Sequence, residues 1–299
     1  MRRFCAFLSI LLCLPMLCMA DMVGYSGDIR RYVTQAEKAQ FPYNSVVKII
    51  DNGSTGTGTF VSPDVILTCR HVVDTSEEKF IEYYTSDGQK HRGFVAPYLH
   101  DEASEHDFAW VIDENAHKGA VYDVSEVTKR SQNLMVIGYD SLKPLSNEEL
   151  QIVKRLYSDW LQKNGKIEGV DKIWQAMVDV DLQLRFYYAC SGDRQTDCVH
   201  CSDTDQSCIF ADNNNMKVRQ GCRVTHVDSQ IYTNCPGASG ASGAALIDLE
   251  TNQIIGIACE VGKVQIGQEK DAIMLGTRPE YYHEVLTHWI DGIKANKNK

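Results

Sequence analysis

From Phe41 onward the chain is a succession of short apolar runs cut at intervals by Gly, Asn, Asp and Pro, a rhythm that points to antiparallel β-structure. "SVVKII", "TFVS", "VILT", "FIEYYT", "FAWVID" and "LMVIGY" are rich in β-branched and aromatic side chains, and turn-rich stretches such as "DNGSTGTG" separate them. After an interruption the pattern resumes with "RVTHV", "IYTNC", "AALID" and "IIGIACEV". The expected class is all-β, a barrel or a sandwich.

Three segments break this rhythm. "SNEELQIVKRLYSDWLQKNG" opens with Ser146 and Glu149 at capping-box spacing, repeats apolar residues at helical spacing and stops at Gly165, which predicts a one-faced helix. From Cys190 to Cys222 the chain is rich in Cys, Asp and Asn and reads as a loop held by disulfides. "RPEYYHEVLTHWIDGIKAN" predicts a second amphipathic helix at the end.

The first 20 residues have their own logic. Arg2 and Arg3 precede an apolar run from Phe4 to Leu17, and Cys18-Met19-Ala20 supplies small residues of the kind a signal peptidase reads. A core of about 14 residues is short for a membrane span, so cleavage near Ala20 is expected, against the alternative of a retained anchor. Removing residues 1–20 takes away two arginines and no acid, so the formal charge falls from −10 to −12. An acidic surface argues against nucleic acid as a partner. Of the eleven cysteines, eight remain after the signal, an even number that in an exported chain favours disulfides. Their connectivity is open at this level.

The chemistry concentrates in three places. "NCPGASGASGAALID" (234–248) puts both Ser239 and Ser242 in a G-x-S-G frame. A serine hydroxyl needs a base within reach, and the base needs an acid to hold its tautomer. His71 follows the strand "VILT", and Asp107 stands directly before the apolar run "FAWV". His, Asp and Ser thus occur in that order, each at the edge of a predicted strand. Singly each has a plainer reading: a structural His, a turn Asp, a run of small residues suited to a turn.

These pieces resemble the trypsin/chymotrypsin-like serine peptidases, and among them the bacterial exported glutamyl endopeptidases and high-temperature-requirement type. The resemblance rests on "GTGTFVSPDVILTCRHVV", "DFAWV", "GASGAALIDLETNQIIGI" and the Trp-Ile helix "HWIDGIKAN". It implies two antiparallel Greek-key β-barrels with a C-terminal helix and a partly helical, Cys-rich insertion. The implied layout is a signal at 1–20, an N-terminal segment or propeptide at 21–40, and a first barrel at 41–130. A second barrel at 131–278 carries the insertion at about 141–221, and helix and tail fill 279–299.

The resemblance implies a serine endopeptidase with His71 as general base, Asp107 orienting it and Ser242 as nucleophile. Ser242 fits the register better than Ser239, because S-G-A-A-L-I-D, a short turn and "IIGI" then follow at family spacing. The N–H groups of Gly240 and Ser242 would form the oxyanion hole. Ala258, Cys259, Glu260 and Val261 would pair with the substrate backbone. No cofactor or metal is implied, and the expected partner is a peptide or protein substrate, with no nucleic acid and no stable membrane anchor. Such a base implies hydrolysis that rises between about pH 6 and 8.

Departures bear on specificity. Basic-specific members carry an Asp six residues before the nucleophile, where Pro236 stands, and glutamyl-specific members a His where Ala258 stands. Neither preference is implied for the residue before the cleaved bond, which leaves a small or apolar one as the default. Cys222 and Cys235 flank a predicted hairpin leading into the nucleophile turn, and a bridge there would brace it. In the implied fold Cys69 and Cys259 both lie near the triad, so a second bridge between them is expected. Cys198, His200, Cys201 and Cys208 raise the question of zinc, but a second C-x-x-C or His pair is missing. The rival from another class is a catalytically silent relative that binds peptides in the same groove.

Overall fold

The computed structural model describes residues 29–51, 54–73, 80–96, 106–113, 117, 119–140, 144, 214–237, 240–266 and 269–297. The predicted helix at 146–165 and the loop from Cys190 to Cys208 lie outside the described residues, as does Ser239.

Six strands form the first barrel: β2 (Val46–Asp51), β3 (Ser54–Ser62), β4 (Val65–Thr68), β5 (Phe80–Tyr84), β6 (Lys90–Val95) and β7 (Ala109–Ile112). They close in the order β2-β3-β4-β7-β6-β5, every pairing antiparallel. The runs read from sequence are these strands, and their apolar side chains, Val47, Ile49, Phe60, Ile66, Tyr83 and Val111 among them, fill the interior. Closure leaves no unpaired edge for a second chain to extend.

The second barrel uses β8 (Asn133–Gly138), β9 (Lys217–Val227), β10 (Ile231–Thr233), β11 (Ala244–Asp248), β12 (Ile254–Ile266) and β13 (Glu269–Thr277). The circuit β9-β10-β13-β12-β11-β8 returns through a β8–β9 pairing, so this sheet closes as well. β11 shows how the two cores meet. Its five residues are all buried, and they alternate: Ala244 and Leu246 enter the second core, Ala245 and Ile247 the cluster continuous with the first barrel.

Among the described residues, two short α-helices, α1 (Gln35–Lys38) and α2 (Arg70–Val73), precede a longer one at the end, α3 (His283–Lys297). In α3, Leu286, Trp289, Ile290 and Ile293 fall at i, i+3, i+4 and i+7 and pack on the first core, with the Trp289 ring edge-on to Trp110 at 5.9 Å.

Two strands include residues to which the sequence reading gave no strand. β1 (Arg30–Tyr32) lies in the stretch assigned to an N-terminal segment or propeptide, yet it pairs with β9 and adds a strand to the second barrel. β9 begins at Lys217, inside the stretch assigned to the insertion up to about 221. The cause is the same in both cases. Arg30, Lys217 and Arg219 are almost fully buried, so strands that point charge inward looked like polar loop. Their compensation is Asp140. Its carboxylate accepts from Arg30 Nη1 at 3.1 Å and Arg219 Nη2 at 2.5–2.6 Å, and its carbonyl accepts from Lys217 Nζ at 2.6 Å.

Candidate active site

The seam between the barrels collects all three sequence-predicted chemical segments. His71 sits on α2, the single turn that follows β4. Asp107 precedes β7 with a positive φ of 48°, a left-handed conformation that Asp tolerates better than most residues. From there it grips His71 twice, with Oδ2 2.7 Å from Nδ1 and Oδ1 accepting from the His71 backbone N–H at 2.9 Å. In the neutral imidazole that donates Nδ1–H to Asp107, the remaining nitrogen, Nε2, is an acceptor. The strained turn is supported from behind, since Thr277 Oγ1 donates to the carbonyl of His106 at 2.5 Å and the His106 ring stacks on Tyr281.

Ser242 lies half-buried in the turn before β11, with Gly240 (φ 91°) and Gly243 (φ 87°) both left-handed. Gly243 admits no side chain, because a Cβ there would stand 1.9 Å from the Thr57 carbonyl oxygen. The small-residue run is therefore a close approach of two backbones, not a flexible tether.

Thr57, on β3 of the first barrel, is the residue that sequence reading missed. Its N–H donates to the Ser242 carbonyl at 2.8 Å and its Oγ1 to the Gly240 carbonyl at 2.9 Å. The same Oγ1 accepts from the Tyr139 N–H at 3.0 Å, while its carbonyl accepts from Thr68 Oγ1 at 2.7 Å, three residues before His71. Nothing in "GTGT" distinguishes this threonine from its neighbours. Among the described residues, no carbonyl accepts from the N–H of Gly240 or Ser242.

Two disulfides join the parts. Cys69–Cys259 spans 190 residues of sequence and links the segment two residues before His71 to β12. Cys222–Cys235 ties β9 to the segment leaving β10, on the way to the serine turn. The first bridge ends on the expected substrate strand. Gly243 N–H donates to the Ala258 carbonyl at 2.7 Å, and Cys259 Sγ lies 3.1 Å from the Asp107 carbonyl oxygen. Cys69, His71 and Asp107 form the one cluster of potential metal ligands among the described residues. Each is otherwise engaged, the sulfur in a disulfide and the imidazole with the carboxylate.

Glu260 follows on β12, half-buried, its carboxyl pushed above the ordinary range by burial and by the negative charge of Asp107, with His71 pulling the other way. Val261 continues the strand.

Two six-stranded barrels meeting at a His–Asp pair and a glycine-bounded serine turn define the chymotrypsin-like architecture. The chain belongs to the trypsin-like peptidase domain family, whose model matches residues 56–257. A Glu endopeptidase structure is similar in fold at 19% identity, covering 91% of this chain and 99% of its own, with a TM-score of 0.50. Neuropsin, a serine protease from mouse brain, aligns at 11% identity over 89% of this chain and 98% of its own, with a TM-score of 0.47. Among curated proteins no match is found.

Proposed function

We infer that this protein is an exported serine endopeptidase that cleaves peptide bonds through His71, Asp107 and Ser242. The observation that carries the reading is the double grip of Asp107 on His71, which fixes one tautomer and one ring orientation. Ser242 Oγ attacks the scissile carbonyl carbon while its proton passes to His71 Nε2. The carbonyl oxygen becomes an oxyanion and takes hydrogen bonds from the N–H groups of Gly240 and Ser242. Collapse of the tetrahedral intermediate breaks the C–N bond, and His71 returns the proton to the leaving amine. Water then repeats the sequence against the acyl-enzyme and releases the acid, restoring the serine hydroxyl.

Each oxyanion donor contributes roughly 3 kcal/mol to such a barrier. Among the described residues no carbonyl accepts from the N–H groups of Gly240 and Ser242, which supports that role, and so does the hydrogen bonding of their carbonyls to Thr57. The residues from Ala258 to Val261 would pair with the substrate backbone as an added strand. The N-terminal apolar run and the two disulfides support an exported protein acting outside the reducing cytosol. Among the described residues no helix is long and apolar enough to cross a membrane.

The test is digestion of an unfolded protein such as reduced casein by residues 21–299, with the products sequenced by mass spectrometry. Internal cleavages that a serine-directed phosphonate suppresses are expected. Intact casein beside a correctly folded protein would overturn the reading in favour of a peptide-binding relative.

Thr57→Val gives a second expectation. The change keeps the shape and removes Oγ1, so the Gly240 carbonyl and the Tyr139 N–H lose their partner. Two buried groups left unmatched cost about 2 kcal/mol or more of stability. Turnover should fall at least about tenfold with KM little changed, because the loosened turn holds the oxyanion donors and not the substrate's length. Unaltered kcat at a lowered Tm would show that the threonine serves stability alone.

A further inference from the structure

Resting on the peptidase reading, we propose that the Glu260 side chain forms a subsite for a cationic residue, Lys or Arg, in the second or third position before the cleaved bond. The role is separate from that of its backbone, which would pair with substrate whatever side chain stood there.

The first support is geometric. Ala258 is opposite Gly276 and Glu260 is opposite Leu275, so β12 carries one residue more than β13 across this interval. Simple alternation would send Glu260 to the same face as Ala258, which is buried in the second core. The bulge breaks the alternation and re-aims the side chain, as bulges beside functional sites do. Its neighbour Cys259 is bonded to Cys69 and lies against Asp107, and Glu260 itself is near enough to feel the charge of Asp107 and His71.

The second support is the charge surrounding it. Among the described residues, the groups whose charge Glu260 feels are Asp107 and His71, and it acts in turn on the Tyr232 phenol, which hydrogen-bonds Asp228. Among the described residues no Lys or Arg pairs with Glu260, and His71 is already engaged by Asp107. A half-buried carboxylate beside another acid is costly unless a cation arrives to pair with it. A substrate side chain would supply that cation, arriving along the strand beyond Ala258. The first-subsite position is not the one implicated, since Glu260 is farther along β12 from the serine turn than Ala258, which bonds Gly243.

The experiment uses matched fluorogenic peptides carrying Lys, Gln or Glu at the second or third position before the bond. It compares wild type, Glu260→Gln and Glu260→Lys of residues 21–299. Wild type should prefer Lys over Gln by about tenfold in kcat/KM, and the preference should weaken as salt rises. The Lys-to-Gln ratio should fall close to one in Glu260→Gln and invert towards Glu-bearing peptide in Glu260→Lys. Ratios are internal controls, so a partly misfolded variant does not distort them. Hydrolysis with no charge preference in wild type would overturn this inference and leave the peptidase reading standing. Absence of both hydrolysis and serine labelling would instead overturn the reading beneath it.

Discussion

Ser242→Ala should reduce kcat for peptide hydrolysis by roughly a millionfold, to the residual level that binding and the oxyanion donors alone support. The expectation follows from how the site is organised. His71 and Asp107 are held as a unit on the first barrel, while the serine turn belongs to the second and is pinned across the seam by Thr57. Residues that act as one unit lose almost everything when any one is removed, so His71→Ala should cost nearly as much, and the double variant little more than either single one. Alanine at 242 removes one oxygen from a half-buried position and leaves the carbonyl that Thr57 holds. The fold should therefore survive, and KM should change far less than kcat. A drop of only tenfold in kcat would mean that the attacking group is elsewhere.

The largest expected effect on stability lies away from the site, at Asp140. Its carboxylate is fully buried against Arg30 and Arg219, with Lys217 on its carbonyl. Burial by itself would raise its pKa, but Arg219, Arg30 and Lys217 outweigh that and hold it below the ordinary aspartate value. Asp140→Asn keeps the shape and strips the charge from among buried cations, at a cost of about 3–5 kcal/mol, or roughly 10 °C in Tm.

The pH dependence has a definite sign. A depressed carboxylate pKa contributes stability that is present above its unfolded value and is lost as pH falls through the folded one. Wild type should therefore lose its advantage over Asp140→Asn as the pH is lowered below about 4, and urea midpoints at pH 7 and pH 3 would measure it. Equal midpoints at pH 7 would remove Asp140 from the account of stability. The same cluster anchors β1, so residues 29–32 should resist proteolysis in the folded protein and become accessible in the variant.

Much of this was legible in the sequence because burial and period coincide. β4 and β11 read as strands since nearly every position is apolar, and Leu286, Trp289, Ile290 and Ile293 mark α3 by spacing alone. His71 and Asp107 were singled out by the resemblance of "GTGTFVSPDVILTCRHVV" and "DFAWV" to family motifs, since alone each has a plainer reading. β1 and the start of β9 were not, because Arg30, Lys217 and Arg219 point inward and only the distant Asp140 explains them. Thr57 was hidden for a related reason, since its importance comes from partners up to 185 residues away. The bulge at Cys259 is likewise a property of pairing with β13, which no local pattern announces.

The most direct measurement is active-site labelling of residues 21–299 with a fluorophosphonate, followed by peptide mass spectrometry. One modified serine, Ser242, is expected, with labelling abolished by His71→Ala and retained in Glu260→Gln. Modification at Ser239, or none on folded protein, would contradict it.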